Sequence, residues 1–109
     1  MAFSEALAVR VRSYLAGMPL LVEKRMFGGI SFLLQGNMAC GVHGENLIVR
    51  VDPTEYEEIL SQQYVRPFDM TGKPMKGWIF VTPEGVERDQ ELESWIDKGV
   101  EFARKLPAK

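Results

Sequence analysis

Lys24-Arg25-Met26-Phe27-Gly28-Gly29-Ile30-Ser31-Phe32 is the stretch that decides the fold. From Val22 to Phe27 the chain alternates Val22, Lys24 and Met26 with Glu23, Arg25 and Phe27. A period of two marks a half-buried strand. Ile30 to Leu34 is a second, short apolar run. The glycine pair between them predicts a tight turn or bulge where only glycine fits the backbone. A phosphate-cradling loop is the disfavoured alternative, because the full dinucleotide and P-loop patterns are missing and no helix follows.

Downstream, Gly36-Asn37 turns the chain into Met38–Val42, and His43-Gly44-Glu45-Asn46 turns it into Leu47–Val51. Four short strands on short Gly/Asn turns predict an antiparallel meander. Upstream, residues 4–17 predict a helix. Ser4 caps it, Glu5 suits its first turn, and Gly17 with Pro19 ends it. Phe3, Leu7, Val11, Tyr14, Leu15 and Met18 form its apolar stripe, while Arg10 and Arg12 face water.

Asp52-Pro53-Thr54-Glu55 combines a capping acid, a proline at the first helical position and a glutamate at the third. It predicts a helix over 53–63 that buries Tyr56, Ile59, Leu60 and Tyr64. These acids are capping chemistry, not a carboxylate site. Arg66-Pro67-Phe68-Asp69-Met70 reads as an edge segment, since Pro67 cannot donate to a ladder. Thr71-Gly72-Lys73-Pro74 reads as a turn or mobile loop, and Trp78–Thr82 returns as a strand. The last helix starts near Asp89, with Leu92, Trp95, Ile96, Gly99, Phe102, Ala103 and Leu106 on one face. Residues 84–97 hold six acids and one base, whereas residues 98–109 hold four bases and one acid. That polarity complements the helix dipole. The expected fold is therefore α+β: a two-layer domain, an antiparallel sheet of about five strands with helices packed on it.

Composition narrows the function classes. The chain has 109 residues, the size of one domain spanning 1–109, with 46% hydrophobic and 26% charged residues. Such a chain buries a core without help from a metal or disulfide. Thirteen basic against fifteen acidic residues leave a net charge of −2. A general nucleic-acid binder carries a strong basic excess, so that class is disfavoured, although a local basic patch is not excluded. No basic leader followed by an apolar core is visible, and no apolar run approaches the ~20 residues of a membrane span. With Cys40 the only cysteine, no internal disulfide can form, and a reducing, cytoplasmic setting is expected.

Enzyme chemistry is hard to assemble from these residues. Cys40 sits among small apolar residues and reads as a buried hydrophobe. His43, the single histidine, is three positions away, and strand periodicity puts the two on opposite faces. A Cys–His dyad is therefore rejected, and a Ser-His-Asp set is not readable. Asp69 is a lone carboxylate, and metal-ligand spacing is absent. A non-enzyme without cofactor is expected. The more informative set is Lys73, Lys76 and Trp78, where a Gly/Pro loop presents two lysines beside an indole. Lys24, Arg25, Arg50 and Arg66 join this set if their strands are adjacent. Basic groups interleaved with aromatics suit an acidic partner or nucleic acid.

Arg25-Met26-Phe27-Gly28-Gly29, Phe32, the Leu47-to-Asp52 strand with its following helix, and Gly77-Trp78-Ile79-Phe80-Val81 together resemble the TfoX N-terminal domain family, named for regulators of natural competence in bacteria. The resemblance covers nearly the whole chain. The Met-Phe-Gly-Gly run combined with Lys76-Gly77-Trp78 makes it specific. It implies a two-layer α/β fold like that of type III secretion chaperones, and no catalytic residues come with it. Longer family members add a helical C-terminal domain, which the sequence to Lys109 does not include. The expectation is a regulatory or adaptor domain that binds a protein partner in transcriptional or competence control. Self-association as a homodimer through a sheet edge or apolar face is expected too. A nucleic-acid-binding accessory protein and a small-ligand-binding protein are the alternatives.

Overall fold

The computed structural model describes residues 3–26, 28–69, 72–73 and 75–107, without the Met26 side chain. Phe27 of the glycine turn lies outside the described residues, as do Met70, Thr71 and Pro74 of the expected edge segment and turn. Among the described residues the order is α1 (Glu5–Leu15), β1 (Leu21–Met26), β2 (Gly29–Leu34), β3 (Asn37–His43), β4 (Asn46–Arg50), α2 (Tyr56–Leu60), β5 (Val65–Pro67), β6 (Trp78–Val81) and α3 (Asp89–Lys105). The strands form one sheet in the order β1-β2-β3-β4-β6-β5, antiparallel throughout. The α+β layout and the four-strand meander agree with the sequence. The sheet has six strands rather than about five, because Val65–Pro67 pairs with β6 before Pro67 ends the ladder.

All three helices lie on one face of the sheet. Leu7, Val11 and Leu15 of α1, Tyr56 and Ile59 of α2, and Leu92, Ile96 and Val100 of α3 pack there on Phe32, Cys40, Val42, Val49 and Ile79. Ser4 caps α1 as expected, its hydroxyl accepting the Leu7 N–H at 3.2 Å. Tyr14 stays near the surface, where its hydroxyl donates to Asp97 of α3 at 2.8 Å. Arg12 pairs with Glu23 of β1, and Arg10 pairs with Asp89 at the start of α3.

The helix predicted over 53–63 is shorter than its sequence pattern. A single 3₁₀ turn at Pro53–Glu55 leads into α2, which ends at Leu60. Tyr64 is consequently not on a buried helical face. It takes a left-handed backbone, φ 71°, and is 42% exposed. Helical spacing stops predicting burial once the helix has ended.

One irregularity in the sheet sets the distance to α3. The β2–β3 register runs Phe32 to Cys40 and then Leu33 to Met38, leaving Ala39 as an extra residue. Ala39 and Cys40 both belong to the helix-side core as a result. Gly99 of α3 rests against the Ala39 backbone. A Cβ built on Gly99 would overlap the Ala39 carbonyl oxygen and sit 3.0 Å from its carbon. In an exposed helix, alanine is better than glycine by about 1 kcal/mol. Here the sign reverses: Gly99→Ala is expected to destabilise the protein by about 1–3 kcal/mol, the usual cost of overpacking. Urea unfolding measures it, and an unchanged or raised midpoint would refute this contact.

Candidate interaction surface on the open sheet face

Directly opposed residues in an antiparallel pair share a sheet face. Ile48 opposes Phe80, Arg50 opposes Trp78, and Arg66 opposes Phe80 across β6. These side chains therefore belong to the face away from the helices. Met38, Ile48, Phe68 and Phe80 form a small second cluster there, flanked by half-buried Leu33 and Trp78. The Phe68 ring centroid is 5.0 Å from Phe80 and 6.1 Å from Trp78. His43 adds its ring 6.0 Å from Phe80.

Phe68 reaches this cluster because the chain folds back after β5. Its carbonyl accepts the Met75 N–H at 3.0 Å, and the Asp69 carbonyl accepts the Gly72 N–H at 2.9 Å. The Trp78 N–H then donates to the Met75 carbonyl at 3.1 Å. The described residues of the β5–β6 connection are thus tied to one another and to Trp78, with Lys73, Lys76 and Asp69 exposed on it. Arg66 is exposed beside it. The Arg50 guanidinium stacks 4.9 Å from the Trp78 ring centroid and 5.4 Å from that of Phe102 in the last turn of α3. Partial burial lowers the Arg50 pKa, but a guanidinium remains charged at any physiological pH.

The structure thus gathers Arg50, Arg66, Lys73, Lys76 and Trp78 at the β4–β6–β5 end of the sheet. Lys24 and Arg25 do not join them. Lys24, on β1, opposes Ser31 of β2 and lies about 14 Å from β4 across three strand spacings. Arg25 opposes Ile30 of the helix-side core, and its guanidinium stacks 5.4 Å from the Phe3 ring. The expected adjacency fails for these two because the meander carries β1 to the far edge. Phe68, Phe80 and Phe102 complete the aromatic setting that sequence reading missed. The available signal was Phe68 itself, a large apolar residue isolated between Pro67 and Asp69.

The described motif residues sit at points of close backbone approach. Gly29 opposes Met26, and a Cβ on it would overlap the Val42 carbonyl oxygen. Gly28, φ 75°, makes the turn before it. Phe32 is fully buried, and the Gly77 carbonyl accepts the Val51 N–H at 2.8 Å. Burial pushes the Cys40 thiol up to about 12, so it stays protonated. It lies in the helix-side core while His43 meets Phe80 on the other face, so the two are not a dyad. The Thr54 N–H and hydroxyl hold the Asp52 carboxyl below its ordinary range, in keeping with capping. Among the described residues, no group of three His, Cys, Asp or Glu side chains could hold a metal ion. No described helix is long and apolar enough to cross a membrane.

Residues 13–103 match the model of a family described as the TfoX N-terminal domain. No curated protein and no solved structure matches the chain.

Two outcomes follow from this geometry. Cys40 is expected to resist a thiol reagent in the native protein at mildly alkaline pH and to react fully in denaturant; rapid native labelling would show that the core around β3 opens. Phe68→Ala is expected to cost about 3 kcal/mol, as truncating a buried phenylalanine usually does. A much smaller loss on urea unfolding would show that Phe68 does not anchor the β5–β6 connection.

Proposed function

Because the chain belongs to the TfoX N-terminal domain family, we propose that it is a non-enzymatic regulatory or adaptor module of the cytoplasm that binds an acidic protein surface, within transcriptional or competence control. One observation carries this reading. Arg50 is stacked on Trp78, with Arg66 beside them and Lys73 and Lys76 exposed on the covering segment.

The physical support is threefold. Tryptophan and arginine are enriched among the residues that dominate protein interfaces. Arg50 is held by two rings before any partner arrives, which lowers the ordering cost of using it. Asp69 is the one acid of that segment, so the patch is basic on a chain whose net charge is −2. Local positive potential of this kind speeds encounter with an acidic surface. The overall charge weighs against extended nucleic-acid binding. Self-association is part of the same reading. Among the described residues β1 pairs only with β2, and Val22 on it is 52% exposed, whereas β5 is closed by Pro67.

Affinity capture from native lysate at low and moderate salt tests the reading. A specific protein retained by the parent chain and lost with Lys73→Glu/Lys76→Glu is the expected result. Equal capture by that variant would remove this surface from consideration. Retention of DNA or RNA that falls steeply with salt would instead favour a nucleic-acid accessory role.

A further inference from the structure

We propose that the β1 edge of the sheet is a self-recognition site, whose occupant is β1 of a second copy, paired antiparallel with Lys24 on the two-fold axis. The proposal rests on the self-association in the reading above and gives it a partner strand and a register. The pairing joins two six-stranded sheets into one, with the helices of both copies on the same side.

The two edges of the sheet differ. β5 has three residues and ends in Pro67, which lacks the N–H that a further strand needs. β1 has six residues, contains no proline and keeps a regular register with β2 from Leu21 to Met26. Val22, Glu23, Lys24 and Arg25 are all exposed, so no described helix or loop covers the strand. α1 packs toward β3 and α3, inward of this edge. A long uncovered edge is a template for another strand.

Hydrogen-bond alternation decides which groups the edge offers. The Gln35 N–H donates to the Leu20 carbonyl at 3.1 Å, one step beyond the Leu21–Leu34 pair. Antiparallel pairs alternate between bonded and unbonded. Val22 and Lys24 therefore bond to β2, and the backbone groups of Leu21, Glu23 and Arg25 point to the open edge. A second copy has to bond to these three.

Symmetry and charge then select the register. Opposed residues share a face, so a two-fold pairing centres on a residue and never between two. Centred on Lys24, the register sets Glu23 against the second copy's Arg25, and Arg25 against its Glu23. Both residues carry outward backbone groups, so each pair exchanges both N–H···O bonds. Each pair also sets opposite charges face to face. Centred on Glu23, the register would set Glu23 against itself and Leu21 against Arg25, with no opposite-charge pair. Centred on Val22, it would set Leu21 against Glu23 and leave Arg25 unmatched. Arg12 already holds Glu23, but a carboxylate has lone pairs for a second donor. Arg25 lies over the Phe3 ring and has no carboxylate partner among the described residues. The like-charge pair of Lys24 with itself on the axis keeps the association weak and reversible.

The test combines sedimentation of the full chain with cysteine cross-linking. Cys40 is buried and protonated, so an introduced cysteine is the reactive thiol. Lys24→Cys places a thiol opposite its own copy, with Cα atoms about 4.5 Å apart, inside the reach of a disulfide. Glu23→Cys would stand about 8 Å from its copy, and Val22→Cys farther. Under mild oxidation Lys24→Cys is expected to form a linked dimer at least about tenfold faster than either of the others. Glu23→Pro removes an outward N–H and leaves the β1–β2 ladder intact. It is expected to weaken dimerisation at least about tenfold in sedimentation, with an unchanged circular dichroism spectrum. A parent chain that stays monomeric at millimolar concentration, equal cross-linking of the three cysteine variants, or a dimer that survives Glu23→Pro would overturn the proposal. Capture of an acidic partner by the open-face patch is read with Lys73→Glu/Lys76→Glu, which is expected to dimerise like the parent, so the two readings fail separately.

Discussion

The contact between Gly99 and the Ala39 backbone is the constraint on which the rest of the structure depends. A helix that carried a side chain there would stand off the sheet, and the layer of Leu92, Ile96 and Val100 would lose its close fit to Cys40, Val42 and Val49. Packing at interior density leaves no slack for such a displacement. The extra residue in β3 and the glycine in α3 act as one feature: the bulge brings the backbone out, and the glycine receives it.

That fit divides the sheet into unequal faces. The helix side is a broad apolar core shared by three helices. The other side has Met38, Ile48 and Phe80 under the single ring of Phe68, with Leu33 and Trp78 at the margin. A face so lightly covered leaves room for charge at its border. Arg50 uses that room, stacking on Trp78 and reaching Phe102, and so links the sheet end to the last turn of α3.

Two groups that could carry chemistry have structural roles. Cys40 is a core residue whose thiol burial keeps protonated, and Asp52 is occupied by Thr54. Tyr64 is the unusual position: its backbone is left-handed, φ 71°, and the residue is 42% exposed. The open sheet face ends in a basic–aromatic border, where Arg50 stacks on Trp78, Arg66 opposes Phe80, and Lys73 and Lys76 are exposed.

Much of this was legible in the residues themselves. Alternation in Val22–Phe27, the Gly28-Gly29 turn, the Ser4 and Asp52 caps and the apolar stripe of α3 are local signals, and each acts within a few residues of itself. They determined the element order, the meander and the placement of Cys40 and His43 on opposite faces. Tertiary structure alone decided the rest. Strand order carried Lys24 and Arg25 away from Trp78, because sheet neighbours are chosen by the whole fold and not by local pattern. Phe68 turned inward because the chain doubles back after Pro67. Tyr64 turned outward because α2 ends early, before its helical period could bury it. In each case the deciding partner lies far along the chain, where a periodic reading of neighbours has no information.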